Sequence, residues 1–255
     1  SASFTAGALT LNASGGLGLA IDEGTSQKTG RGFSHFFGLN DLVSSTGYPY
    51  YETGLTTTDP HGFTAFKVDV HSCLGLHMQQ YVPSLSPGDI RKVRRSYELA
   101  REHLGEEIDI IVHCHNELDT PSAIAVAEAV EPIKPLYFED PLQPGFAENW
   151  LALRRQTNLP IMTGENIELV EQAMPFLSSQ AVDCLQPDIV CSGGITGTRA
   201  IADAAALYRT PITLHNVSGL LLNLASQQLA AATFNCPRIE CTRRATGLAW
   251  AAENP

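Results

Sequence analysis

Six ionisable residues recur along this chain at an almost constant interval. Each stands at the C-terminal end of a short apolar run, and neighbouring members are 23 to 27 residues apart. They are His113, Glu139, Glu165, Asp188, His215 and Glu240. Carboxylates at such positions can bind a hard cation through oxygen, and a histidine beside a carboxylate can transfer protons. The pattern therefore indicates a metal-assisted acid–base site.

Other polar residues belong to the same pattern or fall outside it. Lys67 and Asp69 end the preceding apolar run and add a cation and another acid. Asp188 and His215 follow consecutive runs, so the carboxylate can orient one imidazole nitrogen while the other transfers a proton. Asp140 alternates to the opposite side from its neighbour and is interpreted as structural. Surface roles are expected for the histidines outside the register: His35, His61, His71, His77 and His103.

The interval corresponds to one strand followed by one helix. From residue 48 onward, apolar runs of four to eight residues alternate with amphipathic stretches, which is typical of a parallel α/β sheet. Helix starts are predicted at 86–89, 119–121 and 193–194 from their Ser, Asp, Pro and Gly residues. We predict a (β/α)8 TIM-type barrel over 48–250. The C-terminal ends of its strands share one mouth, where the six residues would converge.

Residues 1–47 have a different composition and are predicted to be a Gly-rich extension of different origin. They hold nine of the 21 glycines and five charged side chains. Two alternating stretches, ALTLNA and LGLAI, predict weak strands separated by turns. The segment 30–47 resembles part of bacterial flagellar hook-associated proteins. The remaining residues, 48–255, are predicted to form the barrel domain.

Charge and hydropathy limit the possible partners. The net charge of −11 repels phosphate backbones, so nucleic acid is not expected as a partner. No apolar run reaches the roughly 20 residues that span a membrane, and the start lacks a signal-peptide pattern. A cytoplasmic homo-oligomer acting on a small molecule is expected.

Six motifs carry a family resemblance over residues 48–244. They are FTAFKVDV, HNELDTPSAI, LYFEDPL, PIMTGEN, CLQPDIVCSGGITG and LHNVSG. In order and spacing they resemble the C-terminal barrel of the enolase superfamily, in its mandelate racemase and sugar-acid dehydratase branch. The resemblance implies Mg2+-assisted removal of the proton next to a carboxylate, a chemistry for which the superfamily is a known example.

The resemblance also implies residue roles. Glu139 and Glu165 match the second and third metal ligands of the family. Asp188 and His215 match its Asp–His dyad. Glu240 matches the acid that hydrogen-bonds a substrate carboxylate oxygen as charge develops there.

Two further matches favour dehydration over racemisation. Lys67 matches the first lysine of the family's K-x-K motif, but Asp69 replaces the second lysine, which argues against a two-base racemase. His115 matches the acid that expels the β-hydroxyl after the dyad histidine takes the α-proton. The implied substrate is an aldonate or aldarate, and the product is a 2-keto-3-deoxy acid.

One ligand position departs from the family. His113 stands where the family has its first metal-binding aspartate, and imidazole suits Mn2+ or Zn2+ better than Mg2+. The family's N-terminal capping domain is also not expected in this chain, which is expected to be C-terminally truncated.

The sequence is compatible with two other functions. An impaired or inactive barrel fragment would carry these residues as relics. Alternatively, His113 and His115 face the same way on a strand and could hold Zn2+ in an amidohydrolase-like hydrolase.

Overall fold

The protein is described here by a computed structural model. Side chains are described for residues 65–76, 82, 84–217 and 221–240, together with the backbone of Leu220 and of three N-terminal strands. The N-terminal strands are β1 (Ala2–Thr5), β2 (Ala8–Asn12) and β3 (Gly18–Asp22), paired antiparallel in that order. The strands predicted in ALTLNA and LGLAI are confirmed as β2 and β3.

Seven further strands each lie within one of the apolar runs of the sequence. They are β4 (Ala65–Asp69), β5 (Asp109–His113), β6 (Tyr137–Glu139), β7 (Ile161–Thr163), β8 (Cys184–Leu185), β9 (Thr213–Leu214) and β10 (Arg238–Ile239). Strands β4 to β8 form a parallel sheet in sequence order, and β9 pairs in parallel with β10. Single bridges between 185 and 212 and between 188 and 215 connect the two groups. The fold is therefore α/β with a parallel sheet, as predicted.

Helices connect these strands. They are α1 (Val70–Leu74), α2 (Pro87–Leu104), α3 (Thr120–Val130), α4 (Glu148–Gln156), α5 (Val170–Ser178), α6 (Gly194–Leu207) and α7 (Leu220–Ala231), with a 3-10 helix at Glu131–Ile133. Within the described residues, no helix combines the length and apolarity that crossing a bilayer requires.

The predicted helix starts are confirmed. Ser86 accepts a hydrogen bond from the backbone of Asp89 at 3.2 Å, and Asp89 accepts one from the backbone of Ser86 at 3.2 Å. This reciprocal pair is a capping box, which satisfies amide groups that the first helical turn leaves free. Asp119 caps α3 through the Ser122 amide at 2.8 Å. Gly193 precedes α6 with φ +79°, a left-handed conformation that glycine adopts without strain.

The two faces of the parallel sheet have different environments. Residues such as Phe66, Val68 and Ile110 belong to the large apolar cluster that includes the helices. The opposite face starts with a small apolar group containing Ala65 and Ile111. Because strand side chains alternate, the following residues on that face are the polar ones nearer the strand ends.

Polar side chains from the first and last of these parallel strands, or next to them, lie close together. Lys67 Nζ of β4 lies 3.2 Å from Glu240 Oε2, next to β10. Arg238 Nη2 of β10 lies 3.4 Å from Asp109 Oδ2 of β5. The sheet therefore curves strongly enough to bring polar residues from both of its ends to one place.

Candidate active site

Strand register aligns three of the polar side chains. Asp69 is paired with His113, and His113 with Glu139, across β4, β5 and β6. All three are at most 1% exposed. His113 Nδ1 lies 2.9 Å from Asp69 Oδ1, and His113 Nε2 lies 3.6 Å from Glu139 Oε1. The row is a direct result of parallel pairing at the C-terminal ends of the strands.

A buried lysine lies beside this row. Lys67 is two residues before Asp69 on the same face, and its ammonium contacts the carboxylates of Glu139 and Glu240. Burial alone would lower the pKa of Lys67, but the two carboxylates outweigh burial and raise this pKa above its ordinary value. Lys67 is therefore a permanent cation between two buried acids.

Gln186 completes the surroundings of Lys67. It is fully buried. With its amide oriented to satisfy both neighbours, it donates to Glu139 Oε1 and accepts from Lys67 Nζ at 3.1 Å. An amide can do both because it carries a donor and an acceptor. Sequence analysis missed this residue, although it stands in the QPD motif two positions before Asp188.

His215 lies between two carboxylates. Its Nδ1 is 2.7 Å from Asp188 Oδ2, and its Nε2 is 3.1 Å from Glu165 Oε2. Burial opposes its protonation, but Glu240, Asp188 and Glu165 raise the pKa of His215 well above its ordinary value. Burial would raise the pKa of Glu165, but His215 lowers it to about 2. The structure thus places the His215 imidazole between two carboxylates, which makes it a stronger base than a free histidine.

Three ligand atoms converge where a metal ion could bind. One from each of His113, Glu139 and Glu165 lies within 4.8 Å of the others. Glu139 Oε2 is buried and accepts no hydrogen bond from the described residues. Two carboxylate oxygens and one imidazole nitrogen fit a divalent ion, and the nitrogen favours Mn2+ or Zn2+ over Mg2+.

A glycine allows Glu165 to reach this place. Gly164 has φ +149°, and a Cβ built on it would lie 2.6 Å from the backbone nitrogen of Gln186. The Gly164→Ala variant is expected to lose about 1–3 kcal/mol of unfolding free energy, because the neighbouring strand end must move and the backbone is strained. Chemical denaturation would measure the loss.

Gly145→Ala is the matched control for that variant. A Cβ at Gly145 meets no atom within 4 Å, so a change of at most about 0.5 kcal/mol is expected. Equal effects at the two glycines would contradict the packing explanation.

His115 is buried near the same mouth. Its backbone amide donates to the Glu117 carboxylate, and its ring lies 4.1 Å, centroid to centroid, from that of His113. Burial and the neighbouring His113 lower the pKa of His115 to about 3. The imidazole is therefore neutral near pH 7.

The histidines outside the register have different environments. His103 is exposed on α2, as predicted. The surface role predicted for His71 is wrong: this residue lies in α1 and is only 3% exposed, because α1 turns inward directly after β4. A signal was present in the sequence, since Lys67, Asp69 and His71 continue one alternating pattern. His35, His61 and His77 lie outside the described residues.

Asp140 is buried, in agreement with its predicted structural role. Its φ is +45°, and its carboxylate accepts a hydrogen bond from the Thr163 hydroxyl. Burial and the charge of Glu165 raise the pKa of Asp140 to about 7.

A known family model matches most of this chain. Residues 55–250 match the family model described as "Enolase C-terminal domain-like". The chain belongs to this enolase C-terminal domain-like family. The matched region begins after residue 47, so it gives no support to the flagellar resemblance of 30–47.

Curated relatives of this enolase-family chain include sugar-acid dehydratases. It is 31% identical to D-xylonate dehydratase of Haloferax volcanii over 189 residues, covering 74% of this chain and 46% of the relative. It is 27% identical to D-gluconate dehydratase of Thermoproteus tenax, covering 62% of this chain and 32% of the relative. The chain thus spans less than half the length of these relatives.

Solved structures agree with that assignment. A member of the enolase superfamily from Salmonella Typhimurium matches with TM-score 0.69 and 28% identity, covering 72% of this chain and 48% of that one. A mandelate racemase/muconate lactonizing enzyme from Sulfitobacter sp. matches with TM-score 0.66 and 29% identity, covering 71% of this chain and 45% of that one. The chain is therefore an enolase-superfamily relative of hydro-lyases.

Proposed function

We propose that this domain dehydrates a sugar acid, an aldonate or aldarate, to a 2-keto-3-deoxy acid. The observation that carries the proposal is the Asp188–His215 dyad, with Nδ1 held at 2.7 Å and Nε2 directed toward the other site carboxylates. The dehydratase relatives support the substrate class. In this proposal the described strands belong to a closed (β/α)8 barrel, and the site lies at its C-terminal mouth.

His215 is the proposed base. Asp188 holds its Nδ1, so Nε2 is the nitrogen that takes the proton next to the substrate carboxylate. Lys67, a buried cation, would attract that carboxylate. Glu240, 3.2 Å from Lys67, would hydrogen-bond the oxygen on which charge develops.

The β-hydroxyl leaves as water and needs a proton. The family resemblance implies that His115 gives this proton, but a neutral imidazole is a weak donor, and burial lowers the pKa of His115 to about 3. His215 becomes a cation once it has taken the α-proton. His215 is therefore the stronger donor of the proton to the leaving β-hydroxyl. His115 acts as the donor only if substrate binding protonates it.

A divalent ion is part of the proposal, with His113, Glu139 and Glu165 as its ligands. Their ligand atoms lie within 4.8 Å of one another. When bound, the ion supplies positive charge close to where negative charge develops on the substrate. Mg2+ is the family expectation, and the His113 nitrogen also admits Mn2+ or Zn2+.

A panel of aldonates and aldarates tests the function directly. We expect formation of a 2-keto acid in the presence of Mg2+ or Mn2+, measured by a carbonyl-specific assay. Turnover of neutral amides or esters would instead favour the hydrolase. Metal binding without turnover of any panel member would favour the inactive barrel fragment.

The His113→Asp variant is expected to bind Mg2+ at least about tenfold more tightly than the parent. An aspartate supplies a hard oxygen ligand and a negative charge where the parent has a neutral imidazole. Calorimetric titration of Mg2+ into both proteins measures the difference.

His103→Asp is the matched control, because it adds the same charge at an exposed histidine far along α2. Its Mg2+ affinity should equal that of the parent. If His113→Asp shows no gain, His113 is not a defective Mg2+ ligand.

Association of copies is a smaller part of the proposal. Leu207, Leu221 and Phe234, on or next to α6 and α7, are 83–86% exposed. Side chains of this kind are enriched where proteins meet other surfaces. Light scattering of the full chain in solution would test a homo-oligomer, and a monodisperse monomer would exclude it.

A further inference from the structure

His71 belongs to a second cluster of buried polar side chains. It follows β4 directly, in α1, and its ring packs edge-on against that of His115 with centroids 4.7 Å apart. Asp69 is the third member, with its Oδ1 3.9 Å from His115 Nδ1. All three side chains are at least nine-tenths buried.

Several polar atoms of this cluster make no hydrogen bond to the residues that the structure describes. Within the described residues, no hydrogen bond is made by His71 Nδ1, either ring nitrogen of His115, or Asp69 Oδ2. Buried polar atoms are almost always satisfied, so a group of unsatisfied ones on facing side chains indicates a missing ligand. Hydrogen bonds among these residues do not explain the arrangement.

The geometry of the cluster suits one ion. One ligand atom from each of Asp69, His71 and His115 lies within 4.8 Å of the other two. Ligands at about 2.0–2.2 Å from a common ion lie about 3–4.4 Å apart, so small side-chain rotations suffice. The three residues come from two adjacent strand ends, which the β4–β5 register brings together.

The donor set selects the kind of ion. Two imidazoles and one carboxylate are typical ligands of Zn2+, Fe2+ and Co2+, whereas Mg2+ prefers oxygen. Imidazole binds metal in its neutral form.

We propose that Asp69, His71 and His115 form a second divalent-metal site, specific for a transition metal such as Zn2+. It shares no ligand with the cluster of His113, Glu139 and Glu165. His113 Nδ1 lies 2.9 Å from Asp69 Oδ1, so the two sites are neighbours at one mouth. The chain would bind two ions with different preferences, whether or not it dehydrates sugar acids.

Titration of the metal-free full chain with Co2+ tests this site. We expect the parent chain to bind two Co2+ ions, as counted by calorimetry. The variants His71→Gln and His115→Gln should each bind one ion fewer, or bind the second ion at least about 100-fold more weakly. His103→Gln, an exposed histidine on α2, is the matched control and should behave as the parent. Unchanged Co2+ stoichiometry and affinity in His71→Gln would overturn the proposal.

Co2+ stoichiometry and dehydratase activity, measured on the same variants, distinguish this proposal from the proposed function. The Co2+ count requires no substrate, so its outcome does not depend on dehydration. If His115→Gln lost dehydratase activity but kept both Co2+ ions, His115 would be a proton donor and the metal assignment would be wrong.

X-ray absorption spectroscopy of the parent protein counts the imidazole ligands of a bound metal, and the result does not depend on whether a variant folds. The proposed site offers two imidazoles, whereas the His113 cluster offers one. With a single equivalent of Zn2+, we expect two imidazole ligands in the zinc shell. One imidazole, or none, would contradict the proposal.

Discussion

The His215→Asn variant is expected to lose about 100- to 10,000-fold in the rate of α-proton removal from a hydroxy acid. Asparagine can keep a hydrogen bond to Asp188 through its amide but offers no nitrogen that accepts a proton at the place of Nε2. Exchange of the substrate α-proton in D2O measures this step separately from water loss.

His103→Asn provides the control, since it makes the same change at an exposed position. Its exchange rate should equal that of the parent. A His215→Asn protein that is folded, as judged by its unfolding midpoint, and exchanges at the parental rate would show that another residue is the base.

The Lys67→Met variant is expected to lose about 3–5 kcal/mol of unfolding free energy. Methionine has a similar length, but its loss of charge leaves Glu139 and Glu240 buried without their shared cation. For a domain of this size, the expected fall in melting temperature is about 6–20 °C. Thermal and urea denaturation measure the effect.

Lys92→Met is the matched control, because Lys92 pairs with Asp89 at 3.1 Å on the surface, with its side chain 54% exposed. Surface pairs contribute at most about 1 kcal/mol. Adding Glu139→Gln to Lys67→Met should recover part of the loss, because it removes one unbalanced charge. Equal losses for the two lysine variants would show that Lys67 is not stabilising the buried acids.

The local features of this protein were predictable from its sequence. Strand runs, capping residues such as Ser86 and Asp119, and the register of ionisable residues at strand ends all depend on neighbouring residues along the chain. The predicted strands of the parallel sheet are observed, and the comparisons confirm the family. The roles of individual site residues stay predictions.

Contacts between distant segments were beyond the sequence pattern. Glu240 and Lys67 stand near opposite ends of the described parallel strands, yet lie 3.2 Å apart, because strand twist and curvature accumulate from strand to strand. The contact between Glu165 and His215 was also beyond the sequence pattern. Glu165 was predicted as a metal ligand, and in the structure its Oε2 lies 3.1 Å from His215 Nε2.

The sequence by itself determined which polar residues stand at the C-terminal ends of strands, because periodicity and capping are local properties. Only the tertiary structure decided which of these side chains are in contact and in which direction the pKa of each is shifted. His71 shows the difference: the direction in which α1 leaves β4 buries it against His115, and that burial lowers its pKa. Such desolvation depends on every segment packed around a side chain, and no interval along the chain records it.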